Sequence, residues 1–159
     1  MPLGLLAVGS DLDPARYEVV IIDGRMEDDP AQALRTHLQN AMCLGISVLT
    51  GDPIRDAVQI SRLAKALRPG LPVIWGGWHP SMFGKECLAE ASVDITVQAQ
   101  GEETFRDILD RLARRESLAG CLGCTYRGAD GQAVANPPRP LRNVNDFRPH
   151  DYSLLPVEQ

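Results

Sequence analysis

The apolar positions of this chain fall into short blocks with two alternating periods. Residues 17–23, Tyr-Glu-Val-Val-Ile-Ile-Asp, form a β-branched run closed by Asp23-Gly24, which predicts a strand. From Pro30, a good first-turn residue, Ala33, Leu34 and Leu38 recur at helical spacing, and Asp28-Asp29 supply the cap region. Residues 43–49 predict the next strand. Thr50-Gly-Asp-Pro53 then turns into a helix with Asp52 as cap, with Ile54, Val58, Leu63 and Leu67 on one apolar face and a stop at Arg68-Pro-Gly70. Residues 71–75 and 93–97 predict two more strands. Gly101 opens a helix that turns Phe105, Ile108, Leu109 and Leu112 inward, and its early glutamates suit the positive helix end. Residues 125–127 and 132–135 flank Asp130-Gly131 as a small hairpin. Beyond Asn136, five prolines and several charges replace the periodicity, the mark of an extended linker.

Strands alternating with helices are the signature of parallel βαβ units, so the expected class is α/β: a flavodoxin-like (Rossmann-like) doubly wound parallel sheet with a small C-terminal β-hairpin and an extended linker. The expected organisation is an α/β domain over 1–116, a hairpin extension over 117–136 and a linker over 137–159. One element breaks the pattern. Such a sheet opens with a strand, whereas residues 1–8 spell the start of a helix with Pro2 in its first turn. The first strand is missing, and in the order 2-1-3-4-5 that strand is central.

Composition narrows the function classes. At 159 residues, 44% hydrophobic and 23% charged, the chain has the size and mix of one globular domain. Sixteen basic against 21 acidic side chains leave a net charge of −5, so no positive field collects phosphates and nucleic acid is not an expected partner. The longest uncharged apolar stretch, residues 3–10, falls far short of the roughly 20 residues a membrane span needs. Four cysteines, one of them inside an apolar strand, suit a reducing cytoplasm.

The chemistry is carried by glycines. Gly51, Gly76, Gly77 and Gly101 all fall at the carboxyl ends of predicted strands, the edge where open α/β sheets admit ligands to the backbone. Ser47-x-Leu49 ends one strand, and after 26 intervening residues, Thr50 through Trp75, Gly76-Gly77 ends the next. This spacing resembles the Ser-x-Leu and Gly-Gly elements of cobalamin-binding domains. Leu44-Gly-Ile-Ser-Val-Leu-Thr-Gly51, Pro72-Val-Ile-Trp-Gly-Gly-Trp-His-Pro-Ser81, Val93-Asp94, Gly101-Glu-Glu-Thr-Phe105, Thr125-Tyr-Arg127 and residues 146–156 extend the likeness along nearly the whole chain. Together they resemble the N-terminal cobalamin-binding region of the B12-dependent radical SAM proteins.

The resemblance implies that Ser47 and Leu49 flank the buried nucleotide tail of cobalamin, that Gly76 and Gly77 make room for its benzimidazole, and that Thr50, Gly51, Gly101 and Glu102 line the mouth near the corrin amides. It also implies a catalytic barrel, beyond the linker, holding a [4Fe-4S] cluster and S-adenosylmethionine. The Asp-x-His-x-x-Gly motif that ligates cobalt in many cobalamin domains is absent, so base-off cobalamin without a protein histidine is expected. His79, before Pro80, reads as a loop residue fixing the next helix. Of Trp75 and Trp78, one is expected in the core and the other free to stack on a ligand. Cys121-Leu-Gly-Cys124 with Ser117 nearly spells a cluster motif, but it lies before the hairpin and lacks the third thiolate; structural thiols are the expectation.

The reading is a cobalamin-binding domain or fragment of a B12-dependent radical SAM enzyme, non-catalytic alone, whose barrel acts in cis or trans. The alternatives are the cofactor-binding half of a split enzyme and an interaction module that has lost the ligand. Apolar edges left by the missing strand also make a homodimer possible.

Overall fold

The computed structural model describes residues 2–155. Its helices are α1 (Leu3–Ser10), α2 (Pro30–Leu38), α3 (Pro53–Leu67), α4 (Trp78–Met82), α5 (Gly84–Cys87) and α6 (Glu102–Arg114). Its strands are β1 (Leu44–Ser47), β2 (Val73–Gly76), β3 (Ile95–Val97), β4 (Cys124–Arg127) and β5 (Ala133–Ala135). They form one sheet in the order β1-β2-β3-β4-β5, with β1 to β3 parallel and the β4–β5 hairpin antiparallel. The expected α/β class holds.

A parallel strand must be apolar on both faces, and β2 and β3 are buried almost throughout. One face carries Val73, Trp75 and Val93 against α2, α3 and α5; the other carries Ile74, Ile95 and Val97 against α6, Cys121 and Cys124. The closest approach of α3 to the sheet uses small residues: Ala57, Ser61 and Ala64 are buried, while Ile54, Val58 and Leu63 pack at the flanks and Leu67 is exposed. Ser61 there accepts the indole N–H of Trp75 at 2.9 Å and donates to the Ala57 carbonyl, so the buried tryptophan costs no unpaired donor. Asp94 locks the start of β2, accepting from the Val73 amide at 2.7 Å and from Lys65 Nζ at 2.6 Å.

Four expectations need correction. Residues 17–23 take no regular structure and join no ladder among the described residues; the Tyr17 amide instead bonds back to the Asp13 carbonyl at 2.9 Å. Asp52 does not cap α3: it already has helical dihedrals, which turns its carboxylate away from the first amides, whereas Asp29 does cap α2 through the Gln32 amide. Residues 136–155 are not a free linker. Arg139 bonds Thr104 and Asp107 on α6, Arg142 bonds Glu103, Arg148 reaches the Leu12 carbonyl and the Asp151 amide donates to Ser10, so the segment is a strap tied to α6 and α1. Finally, without a strand over 17–23 the sheet holds three parallel strands and the hairpin where four parallel strands and the hairpin are expected, which leaves β1 at its edge. Residues 156–159 and Met1 lie outside the described residues.

Candidate functional site

The register of the first two strands puts Ser47 directly beside Gly76. The 26 residues between Leu49 and Gly76 run out through α3 and return along β2, so the two sequence elements meet at the carboxyl edge of the sheet. Gly77 follows with φ +93° and ψ −164°, a conformation open essentially to glycine alone. A Cβ on Gly77 would stand 3.1 Å from Ser47 Oγ and 3.2 Å from the Val48 amide nitrogen and carbonyl oxygen. The loop after β2 therefore lies tight against the loop after β1, pinned by Val48 N–H to the Gly76 carbonyl at 2.8 Å and His79 N–H to the Val48 carbonyl at 3.0 Å. Gly76 differs: the nearest neighbour of a Cβ there is Val97 at 3.9 Å, so its face is open.

Beside this edge lies a cavity of about 1130 Å³. Ser47, Gly76, Gly77, Gly101 and Glu102 line it. Leu49, Thr50 and Gly51 do not; they sit on the exposed loop after β1, where Gly51 turns the chain at φ +106°. Glu102 occupies the first turn of α6, with its charge at the positive helix end. Gly101 is crossed closely by α1, whose Val8 would come 3.3 Å from an added Cβ.

Three residues not read from the sequence as site residues also line the cavity. Ala99 holds a left-handed backbone, φ +57°, without being glycine, and its amide donates to Ser81 Oγ at 2.9 Å. Gln100 ties the same loop to the strap through both the amide and carbonyl of Arg142, and Phe105 covers Gly45. A Gln-Ala-Gln-Gly break after a strand was the available signal, but a left-handed alanine has no signature in one sequence.

The histidine and tryptophan questions resolve geometrically. His79 lies in α4, its Nδ1 3.3 Å from Thr50 Oγ1 and its ring against Phe83. Trp75 is core, and Trp78 is 66% exposed at the rim. Burial pushes the Cys43 thiol, on the cavity wall, up to about 12. Cys121 and Cys124 are both fully buried; the Cys124 thiol donates to the Cys121 carbonyl, and its hydrogen bond with Cys124 and burial push the Cys121 thiol up. No group of three potential metal ligands exists among the described residues, and no helix there is long and apolar enough to cross a membrane.

Residues 1–109 match the model of the B12 binding domain. An uncharacterized methyltransferase of Pyrococcus horikoshii is 32% identical across 99% of this chain and 35% of its own length. The cytidylyl-2-hydroxyethylphosphonate methyltransferase of Streptomyces wedmorensis is 25% identical across 93% of this chain and 31% of its own. Among solved structures, the radical S-adenosylmethionine methyltransferase TsrM from Kitasatospora setae, with cobalamin and a [4Fe-4S] cluster bound, superposes with a TM-score of 0.74 at 21% identity, over 89% of this chain and 27% of that one. The cobalamin-dependent S-adenosylmethionine radical enzyme OxsB gives 0.71 at 21% identity, over 87% and 20%. These last two are likenesses of fold. The chain spans about a third of the length of the curated relatives named here. The resemblance to cobalamin-binding domains therefore holds, and the chain belongs to the B12-binding domain family.

Proposed function

We propose that the carboxyl edge of β1 and β2 holds cobalamin, with Ser47, Gly76 and Gly77 against its nucleotide tail and Gly101 and Glu102 along the corrin rim. The observation that carries this is the direct pairing of Ser47 with Gly76 on the wall of a large cavity. The residues fit the group. The open face of Gly76 admits a flat ring edge-on, the Ser47 hydroxyl offers one donor and two acceptors beside it, and ligand cavities are typically about 300–1,000 Å³. Leu49, Thr50 and Gly51 belong to the rim rather than the wall, with Thr50 placed by His79.

When bound, cobalamin supplies a cobalt centre able to carry a methyl group. The chain's own part is to orient that cofactor and exclude water from its lower face. Among the described residues, the imidazole on the cavity wall is that of His37, on α2. The relatives' names support methyl transfer in a larger protein, the reaction lying on a radical SAM domain that carries the cluster and S-adenosylmethionine.

Titration with hydroxocobalamin and with methylcobalamin, followed in the visible spectrum, tests the reading. Saturable binding with a base-off spectrum is expected. No binding at high micromolar cobalamin overturns it.

A further inference from the structure

Two side chains with chemistry of their own lie away from the cavity wall: the thiols of Cys121 and Cys124, on the turn between α6 and β4. Gly123, at φ +78°, stands third in Cys121-Leu-Gly-Cys124, the position where a type II turn requires a positive φ. Such a turn brings its first and fourth Cα within about 7 Å, and a disulfide spans about 4.4–6.8 Å. The two thiols already hydrogen-bond each other. Their other side-chain partners are polar: Cys121 bonds the Asp107 carboxylate, and Asn136 Nδ2 donates to Cys124 Sγ at 3.4 Å. The Cys121 thiol and then the Asn136 amide pull the Cys124 thiol below its ordinary value, while Cys121 holds its proton. Burial drives the other two cysteines the opposite way, Cys43 up to about 12 and Cys87 up to about 11.

Both cysteines are fully buried, and the start of the strap lies over their turn. The Asn136 amide donates to the Cys124 carbonyl at 3.0 Å and the Gly123 amide to the Pro137 carbonyl at 2.8 Å, while a Cβ on Gly123 would stand 3.1 Å from Arg139 Cβ. Arg139 then fastens this stretch to Thr104 at 2.9 Å and to Asp107 at 3.0 Å, the same carboxylate that bonds Cys121. Residues 137, 138 and 140–146 are exposed, so polar bonds rather than packed apolar surface hold the strap down. A segment held that way opens locally at low cost.

We propose that Cys121 and Cys124 form a reversible dithiol–disulfide pair that the strap seals and that a low-molecular-weight disulfide oxidises when the strap lifts. The Cys124 thiolate attacks one sulfur of the small disulfide, whose S–S bond breaks; one thiolate leaves and takes a proton from water. Cys121 gives its proton to the neighbouring Asp107 carboxylate, and its sulfur attacks the Cys124 sulfur of the mixed disulfide. The second small thiolate leaves and takes up that proton. Two cysteine thiols are oxidised and one small disulfide is reduced to two thiols. The closed loop is four residues long and gains little chain entropy, whereas the reduced pair keeps its bonds to Asp107 and Asn136, so the disulfide is a labile one. The pair lines no part of the cavity and stands independently of cobalamin.

The test incubates the folded chain with glutathione disulfide, quenches in acid, alkylates free thiols in denaturant and digests with trypsin. Residues 116–127 emerge as one peptide holding Cys121 and Cys124 and no other cysteine. That peptide is expected to lose two hydrogens and escape alkylation, and dithiothreitol is expected to restore it. Cys121→Ser should stop at a glutathione adduct on Cys124, and Cys124→Ser should form its adduct at least tenfold more slowly. Arg139→Gln, verified as folded by thermal unfolding, should oxidise at least tenfold faster than the parent. Losing that cation beside Asp107 disfavours the Cys124 thiolate, so the acceleration reads the lifted strap and not the local charge. A parent peptide that stays fully alkylated, or oxidation confined to Cys43 and Cys87, overturns the pair; an unchanged rate in folded Arg139→Gln overturns the strap as its seal.

Discussion

Gly76 and Gly77 are neighbours in sequence, yet the structure gives them opposite sensitivities to one added methyl group. At Gly77 alanine meets two costs. Its backbone, φ +93° and ψ −164°, is a glycine region that costs other residues about 1–3 kcal/mol. Its Cβ also lands 3.1–3.2 Å from Ser47 Oγ and the Val48 main chain, and Val48 cannot retreat without breaking its bonds to Gly76 and His79. Overpacking of that kind adds about 1–3 kcal/mol, so Gly77→Ala should lose about 3 kcal/mol, or roughly 6–12 °C in Tm for a domain of this size. At Gly76 the nearest atom is Val97 Cβ at an ordinary 3.9 Å. Alanine there is neutral or stabilising by up to about 1 kcal/mol through the unfolded chain, but its methyl adds to the cavity wall where we propose that the cofactor tail lies. Urea unfolding paired with hydroxocobalamin titration separates the two: Gly77→Ala unfolds early, while Gly76→Ala stays folded and binds at least tenfold more weakly. Gly77→Ala within about 0.5 kcal/mol of the parent, or Gly76→Ala equally destabilised, would refute the geometry.

Three further outcomes are expected. Trp75→Phe removes the donor to Ser61 and part of a fully buried ring, and should cost about 2–4 kcal/mol in chemical unfolding. The hydrogen bond from Arg62, with those from Ser92, lowers the Glu90 carboxyl from 4.5 to about 2. A depressed carboxylate contributes stability above the unfolded value and loses it as pH falls through the folded one; the stability gap between the parent and Glu90→Gln should therefore be constant above pH 5 and close between about 4.5 and 2. Ala99→Gly relieves a left-handed alanine and should leave stability unchanged or higher by up to about 1 kcal/mol in thermal unfolding, whereas Ala99→Val should lower it.

Much of this fold is legible because parallel strands and their helices are local patterns. The runs over 43–49, 71–75 and 93–97 do become strands, trimmed to Leu44–Ser47, Val73–Gly76 and Ile95–Val97 where partners begin and end. The run over 17–23 has the same composition and forms none, since a ladder belongs to two segments and composition to one. Helix α3 shows the complementary limit. Its large apolar residues mark a face, but the sheet approaches over Ala57, Ser61 and Ala64, where small side chains let the Trp75 ring in. The strap was illegible for another reason: Arg139, Arg142 and Arg148 look solvated until folding brings α6 and α1 within reach. At the carboxyl edge, spacing pointed to Ser47 and Gly76, which are register neighbours. It did not separate wall from rim, because Leu49, Thr50 and Gly51 leave the sheet at a turn whose direction is set by Gly51.

The three loops that leave the parallel strands share one device. Each contains a residue with positive φ at the carboxyl edge: Gly51 after β1, Gly77 after β2 and Ala99 after β3. A chain that turned into its helix with ordinary dihedrals would lay side chains over that edge; a left-handed residue reverses the backbone within one position and leaves main chain there instead. The three turns are also cross-braced. Val48 and Gly76 are bonded backbone to backbone, His79 returns to Val48, and Ser81 Oγ accepts from Ala99 while donating to the Gly77 carbonyl. Displacing any one loop therefore strains the other two. An edge stiffened this way holds its backbone groups and the open glycine face of Gly76 fixed in advance, so a ligand docking there does not have to order them first.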